Sequence, residues 1–165
     1  MKIVLCLMIL CGSSYIGFSV NKSYKRRVRL YNDLLLFCGG IKSQISYFKL
    51  KLYDVIEKSK RNGGKDFTYI CNIAQESLKN NDFPIIKPKD LSQLYFLSES
   101  ECAVISEFFS VLGSSDCKNQ TEQITGFEKL FDSFLETAQT DCKTKGSLYG
   151  KLGIFVGLFV AIICL

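Results

Sequence analysis

The stretch Ile124–Ala138, ITGFEKLFDSFLETA, sets Ile124, Phe127, Phe131, Phe134 and Ala138 at intervals of three, four, three and four. That spacing lines five apolar side chains along one face of a helix and leaves polar residues on the other. Asp116 is placed to cap this helix. No proline follows Pro88, so the helix is free to run on toward the C-terminal end. The same periodicity recurs upstream. Ser98 and Glu101 form a capping box ahead of Cys102, Ile105, Phe109 and Leu112, with Gly113 where a left-handed C-cap belongs. Asp66 is expected to cap a helix whose apolar face is Phe67, Ile70, Ala74 and Leu78. Asn80-Asn81-Asp82-Phe83-Pro84 breaks it, and a short element follows Pro88 over Asp90 to Phe96.

Further upstream, Tyr24, Val28, Tyr31, Leu35 and Cys38 repeat the helical spacing, and after Gly39-Gly40 it resumes one position displaced as Ile41, Ile45, Phe48, Leu52 and Val55. Two glycines inside a helix cost about 1 kcal/mol each relative to alanine. Either the helix kinks there or a neighbour packs against bare backbone. A loop at Asn62-Gly63-Gly64 ends the segment. No stretch alternates with period two for long enough to form a sheet. The fold class is all-α: a membrane-anchored bundle of about six helices, counting extensions of the terminal segments.

The terminal segments supply the anchoring. Ile3 to Asn21 carries no charge over 19 positions, and Leu148 to Leu165 is apolar over 18 positions except Lys151. As helices they extend about 28 Å, close to the roughly 30 Å of a bilayer core. Lys151 lies about one turn in, within reach of the headgroups by snorkelling. A cleaved signal peptide is the competing reading of the first segment, with Gly12-Ser13-Ser14 as the cleavage region, but the apolar run resumes at Tyr15-Ile16-Gly17-Phe18. The expected organisation is a transmembrane helix at 3–21, a cytoplasmic helical bundle at 22–147 and a second transmembrane helix at 148–165. Gly153 and Gly157 form a G-x-x-x-G pair suited to helix packing in lipid.

Charge orients this arrangement. Lys22, Lys25, Arg26, Arg27 and Arg29 follow the first segment, and Lys143 and Lys145 precede the second. Positive charge beside a span stays cytoplasmic, so the middle of the chain faces the cytoplasm and both termini lie on the far side. A lipid bilayer accounts for the basic cluster without invoking nucleic acid. Beyond the flanks, residues 21–65 balance at +9 and residues 66–142 at −8. The two halves either attract each other within one fold or present a bipolar surface to protein partners. Glu99, Glu101 and Glu107 are expected on a solvated face.

The 165 residues, 47% hydrophobic and 22% charged with a net charge of +5, contain no histidine. Mechanisms that require imidazole are excluded. Cys38, Cys71, Cys102, Cys117 and Cys142 in the middle of the chain form no C-x-x-C pair, so reduced core thiols are expected rather than disulfides or a zinc site. No catalytic set, metal, cofactor or small-molecule substrate is indicated. An enzyme with a cysteine nucleophile would need a lysine or carboxylate base, and no cysteine has flanking residues that suggest activation.

Several strings fall in the order seen in the stage III sporulation protein AB family. Tyr15-Ile16-Gly17-Phe18, the basic run through Arg26 to Leu30, and Gln44-Ile45-Ser46-Tyr47 resemble its first half. Leu112, Gly113, Asp116, Gln120, Gln123 and Ile124 resemble its LGxxD…Q…QI stretch, and the ending from Leu152-Gly153 through Gly157 is similar to its C-terminal anchor. The family usually has a proline after the Ile-x-Tyr element, where this chain reads Phe48-Lys49-Leu50-Lys51-Leu52. The resemblance implies a structural component of the apparatus linking mother cell and forespore during endospore formation, held in the mother-cell membrane. Its partners would be the ATPase stage III sporulation protein AA and other stage III channel proteins. The family's soluble domain is similar to the cytoplasmic domains of type II secretion and type IV pilus platform proteins, a likeness of fold. Within Leu112–Ile124, Gly113 and Asp116 read as a helix stop and start, and Gln120 and Gln123 as amides open to a partner or a neighbouring helix. The alternative function is a surface-anchored extracytoplasmic binding module with a cleaved signal, which the basic residues after the first segment oppose.

Overall fold

The computed structural model of the chain describes residues 2–47, 52–80, 84–112 and 117–164. Within these, side chains are outside the description at 2–7, 9, 10, 13, 14, 45–47, 117–119, 150, 153, 154, 157, 160, 161, 163 and 164. The chain is all-α. Helix α1 is Lys2–Tyr47, α2 Leu52–Asn62, α3 Lys65–Asn80, α4 Glu99–Val111, α5 Cys117–Asp141 and α6 Ser147–Cys164. A 3-10 turn at Pro88–Leu91 lies between α3 and α4, and a π turn at Cys142–Gly146 joins α5 to α6. No strand occurs among the described residues. Two compact units result: unit 1 is Met1–Val28 with Glu136–Leu165, and unit 2 is Arg29–Leu135.

Unit 2 has a conventional interior. Leu30, Tyr31, Leu34, Phe37, Cys38 and Ile41 of α1 are buried, and Val55, Ile56, Phe67, Ile70, Cys71 and Ala74 close on them from α2 and α3. Rings interlock at its centre. Phe108 meets Phe37, Phe127 and Phe131 edge-on at centroid distances of 6.1, 5.4 and 5.2 Å. Such contacts add to area burial, because the ring edge is positive and the face negative. Phe109 stacks on Phe37 at 5.8 Å. The expected α5 face is as read: Ile124, Phe131 and Ala138 are buried, with Phe127 and Phe134 half-buried.

Several expectations are corrected. Of the stripe expected to resume after Gly39-Gly40, Ile41 is the member of α1 whose side chain is described, and it is buried. Leu30, Leu34, Phe37 and Ile41 form one unbroken line, flanked by Tyr31 and Cys38, and the helix continues to Tyr47. Nothing lies within 4 Å of a Cβ built at Gly39 or Gly40, so no described neighbour packs on that backbone. Ile45 and Phe48 lie outside the described side chains. Residues 48–51 lie outside the described residues, and α2 spans Leu52–Asn62. Asp66 is in the first turn of α3 rather than its cap, and Gly64 precedes the helix. The short element is the 3-10 turn from Pro88, two residues earlier than expected, because proline's fixed φ suits the first turn. Glu101 is buried, at 2% exposure, and not on a solvated face, while Glu99 and Glu107 are exposed as expected. Asp116 and Gly113 lie outside the described residues.

Gly63 and Gly64 make the turn between α2 and α3 compact. A Cβ at Gly63 would run into the Phe67 ring, and one at Gly64 would meet Arg29 Nε at 2.9 Å. The Gly64 N–H donates to Asp33 Oδ2 at 2.8 Å, so α1 caps the turn from across the fold. Burial is the main influence on Asp33 and pushes its carboxyl above the usual range, against the lowering effects of this hydrogen bond and Arg29.

Candidate functional site

The residues that sequence analysis placed beside the apolar termini converge in unit 1. Asp141 ends α5 and holds two basic partners from different segments. Its Oδ2 accepts from Arg27 Nη1 of α1 at 3.2 Å, and its Oδ1 from Lys145 Nζ of the π turn at 2.7 Å. The carboxyl is held below its usual range, chiefly by the hydrogen bond from Lys145, and Lys145 is correspondingly raised. Gly146 explains how the turn comes so close to α1. A Cβ there would meet Asn21 Oδ1 at 3.1 Å and Tyr24 Cδ2 at 3.4 Å, so only a bare backbone fits without displacing them. A π turn widens the helix by one residue and recurs at functional positions.

The two basic clusters, distant in sequence, therefore form one collar. Lys22, Lys25, Lys143 and Lys145 are exposed on it, and Arg26 and Arg27 are half-buried. Arg29, the remaining member of the basic set, is exposed and belongs to unit 2. Beyond the collar the described side chains of unit 1 turn apolar groups outward: Met8, Tyr15, Ile16 and Phe18 on α1, and Leu148, Leu152, Phe155, Leu158, Phe159 and Ile162 on α6. Exposed apolar surface of this extent marks contact with a membrane or a partner. Among the described residues no helix is long and apolar enough to cross a membrane. About half of the side chains in the segments 3–21 and 148–165 lie outside the description, Gly153 and Gly157 among those positions.

Within the Leu112–Ile124 element, the side chains of Leu112 and of residues 120–124 are described. Leu112 is the C-cap of α4 and is buried, and Ile124 is fully buried on α5. Gln120 is buried at 7% exposure, whereas Gln123 is exposed and has partners of its own.

Sequence analysis missed the polar contacts between helices. The capping box at Ser98 forms as expected, with Glu101 Oε2 accepting from Ser98 N at 2.8 Å. The other carboxylate oxygen accepts from the Tyr31 hydroxyl, tying the start of α4 to α1. Lys60, Glu57 and Gln75 form a second network between α2 and α3: Lys60 Nζ reaches Glu57 Oε2 at 2.9 Å, and Gln75 Nε2 donates to Glu57 Oε2 at 2.8 Å. Lys42 pairs with Glu128. With Arg27–Asp141, this is a described instance of the basic and acidic halves attracting each other. The described thiols differ in environment. Burial pushes Cys38 and Cys71 up to about 12 and raises Cys102, whereas Cys142 is only half-buried. Among the described residues no cluster of Cys, Asp or Glu could hold a metal ion.

The family model of stage III sporulation protein AB matches residues 2–165. No curated protein and no solved structure matches the chain.

Proposed function

As the chain belongs to the stage III sporulation protein AB family, and its role therefore lies in sporulation, we propose that it is a non-enzymatic membrane component of the channel apparatus between mother cell and forespore. The observation that carries this reading is the outward apolar surface of unit 1, which begins directly at the basic collar. In water that surface would be costly, at roughly 25 cal/mol per Å² of apolar area. In a bilayer it is the favoured arrangement. The uncharged run Ile3–Asn21 and the segment Leu148–Leu165 support the same placement, as transmembrane helices at 3–21 and 148–165. The collar then faces the cytoplasm, and both termini lie across the membrane.

Unit 2 is the part available to protein partners. Its burial of aromatic side chains and its interhelical polar contacts make a rigid module, and the family resemblance supplies the partner: the ATPase stage III sporulation protein AA, docked on the cytoplasmic face with other stage III proteins around it. The expected role is assembly and positioning, with no cofactor. Fractionation of sporulating cells tests the reading. The chain should stay in the membrane pellet through alkaline carbonate extraction, and the ATPase should co-purify with it from mild detergent. Release by carbonate would overturn the membrane placement, and absence of the ATPase from the purified material would overturn the docking.

A further inference from the structure

The collar has more organisation than topology requires. Lys22 and Lys25 come from α1, and Lys143 and Lys145 from the π turn, yet the contacts of Asp141 with Arg27 and Lys145 hold both segments together. Gly146 lets the two backbones close to within side-chain contact of Asn21 and Tyr24. Residues 1–28 and 136–165 contain eight lysines and arginines against two carboxylate side chains, Glu136 and Asp141. Asp141 is already engaged by two cations, so it does little to neutralise the remaining lysines.

We infer that the four exposed lysines form a single site for the phosphate headgroups of anionic phospholipids. The inference rests on the membrane placement proposed above and deepens it. Lys22 follows the last uncharged residue of the first apolar run, and Lys145 precedes Leu148 by three residues. At about 1.5 Å per residue, both ammonium groups fall at headgroup depth once the apolar surface is in hydrocarbon. Lysine suits this task, because a compact ammonium on a flexible stem follows a mobile phosphate. Clusters of four to eight cations immediately beside a span attract anionic lipid, with the contribution of each charge limited by screening. Asp141 tunes the site by competing for Lys145.

A single-tryptophan reporter tests this, since the chain has no tryptophan of its own. Tyr149 is exposed just beyond the collar, so Tyr149→Trp places an indole beside Lys145. The full chain is reconstituted in mixed vesicles of phosphatidylcholine and phosphatidylglycerol, with one lipid or the other brominated to quench the indole. Brominated phosphatidylglycerol should quench as though enriched on the order of fivefold over its bulk fraction. Lys22→Gln, Lys25→Gln, Lys143→Gln and Lys145→Gln together should return the ratio to one, and Asp141→Asn should raise it. Equal quenching by both lipids in the unaltered collar would overturn the site while leaving the membrane placement intact. Quenching by neither would overturn the placement as well. Soluble glycerol phosphate should leave the ratio unchanged, and loss of the preference in its presence would show that the site takes free phosphate instead of lipid.

Discussion

Helix α1 passes through both units, and its two parts treat apolar side chains in opposite ways. Within unit 2, Leu30 and Phe37 are each 1% exposed, and Phe37 packs on Phe67 of α3 and Phe109 of α4. Within unit 1, Met8 is 70% and Tyr15 76% exposed. The same helical backbone thus has an interior stripe in one part and an outward apolar surface in the other. Amphipathic periodicity forms when water is on one side, whereas an even apolar surface suits a helix whose surroundings are themselves apolar. The difference is the one that the proposed membrane placement requires, with one part of α1 in lipid and the other packed in a water-facing bundle.

Removing a ring from each side of the comparison should give the largest contrast. Phe108→Ala empties the centre of the aromatic cluster and should cost about 3–5 kcal/mol. Phe155→Ala on α6, at 69% exposure, should change the stability of the detergent-solubilised chain by no more than about 0.5 kcal/mol. Denaturant unfolding followed by circular dichroism measures both. Equal losses would break the distinction between the units.

The next effect belongs to a buried carboxylate. Glu101→Ala strips the acceptor from the Tyr31 hydroxyl and from Ser98, and should destabilise unit 2 by about 2–3 kcal/mol. Glu99→Ala, two residues away on the exposed face, should fall within about 0.5 kcal/mol of the parent. These two glutamates show what was legible and what was not. The capping box is a local pattern, spanning three residues, and Ser98 and Glu101 display it in sequence. Its bond to Tyr31 joins residues 70 apart, and no periodicity announces it. The same limit applies to Asp33, which caps Gly64 across the fold. The helix stripes were readable because burial imposes their period. The collar was readable as two basic flanks. Their meeting through Asp141 and Gly146 was not, because it depends on how α1 and the π turn pack.

Glycines sharpen the comparison within unit 2. Gly63→Ala would drive a methyl into the buried Phe67 ring and should cost about 1–3 kcal/mol. Gly39→Ala meets open space and should gain about 1 kcal/mol in the purified chain, read as a rise in melting temperature.

The smallest effect is electrostatic. Because burial raises the Asp33 carboxyl, its ionised form is disfavoured in the folded chain. Its stabilising share is full below the ordinary carboxylate value and is lost as pH rises through the raised one. Asp33→Asn keeps an acceptor for the Gly64 N–H, so it should match the parent in acid and become the more stable of the two at neutral pH. A stability–pH series on both proteins checks the sign.

The central proposal, that the apolar segments of unit 1 lie in the bilayer and unit 2 in the cytoplasm, is tested most directly by thiol labelling in cells. Cys38, Cys71 and Cys102 are buried and make poor reporters, whereas Asn62 at the end of α2 is exposed, so Asn62→Cys supplies the probe. A membrane-impermeant maleimide should label that position only after the cells are permeabilised. Labelling in intact cells would place unit 2 outside and contradict the account.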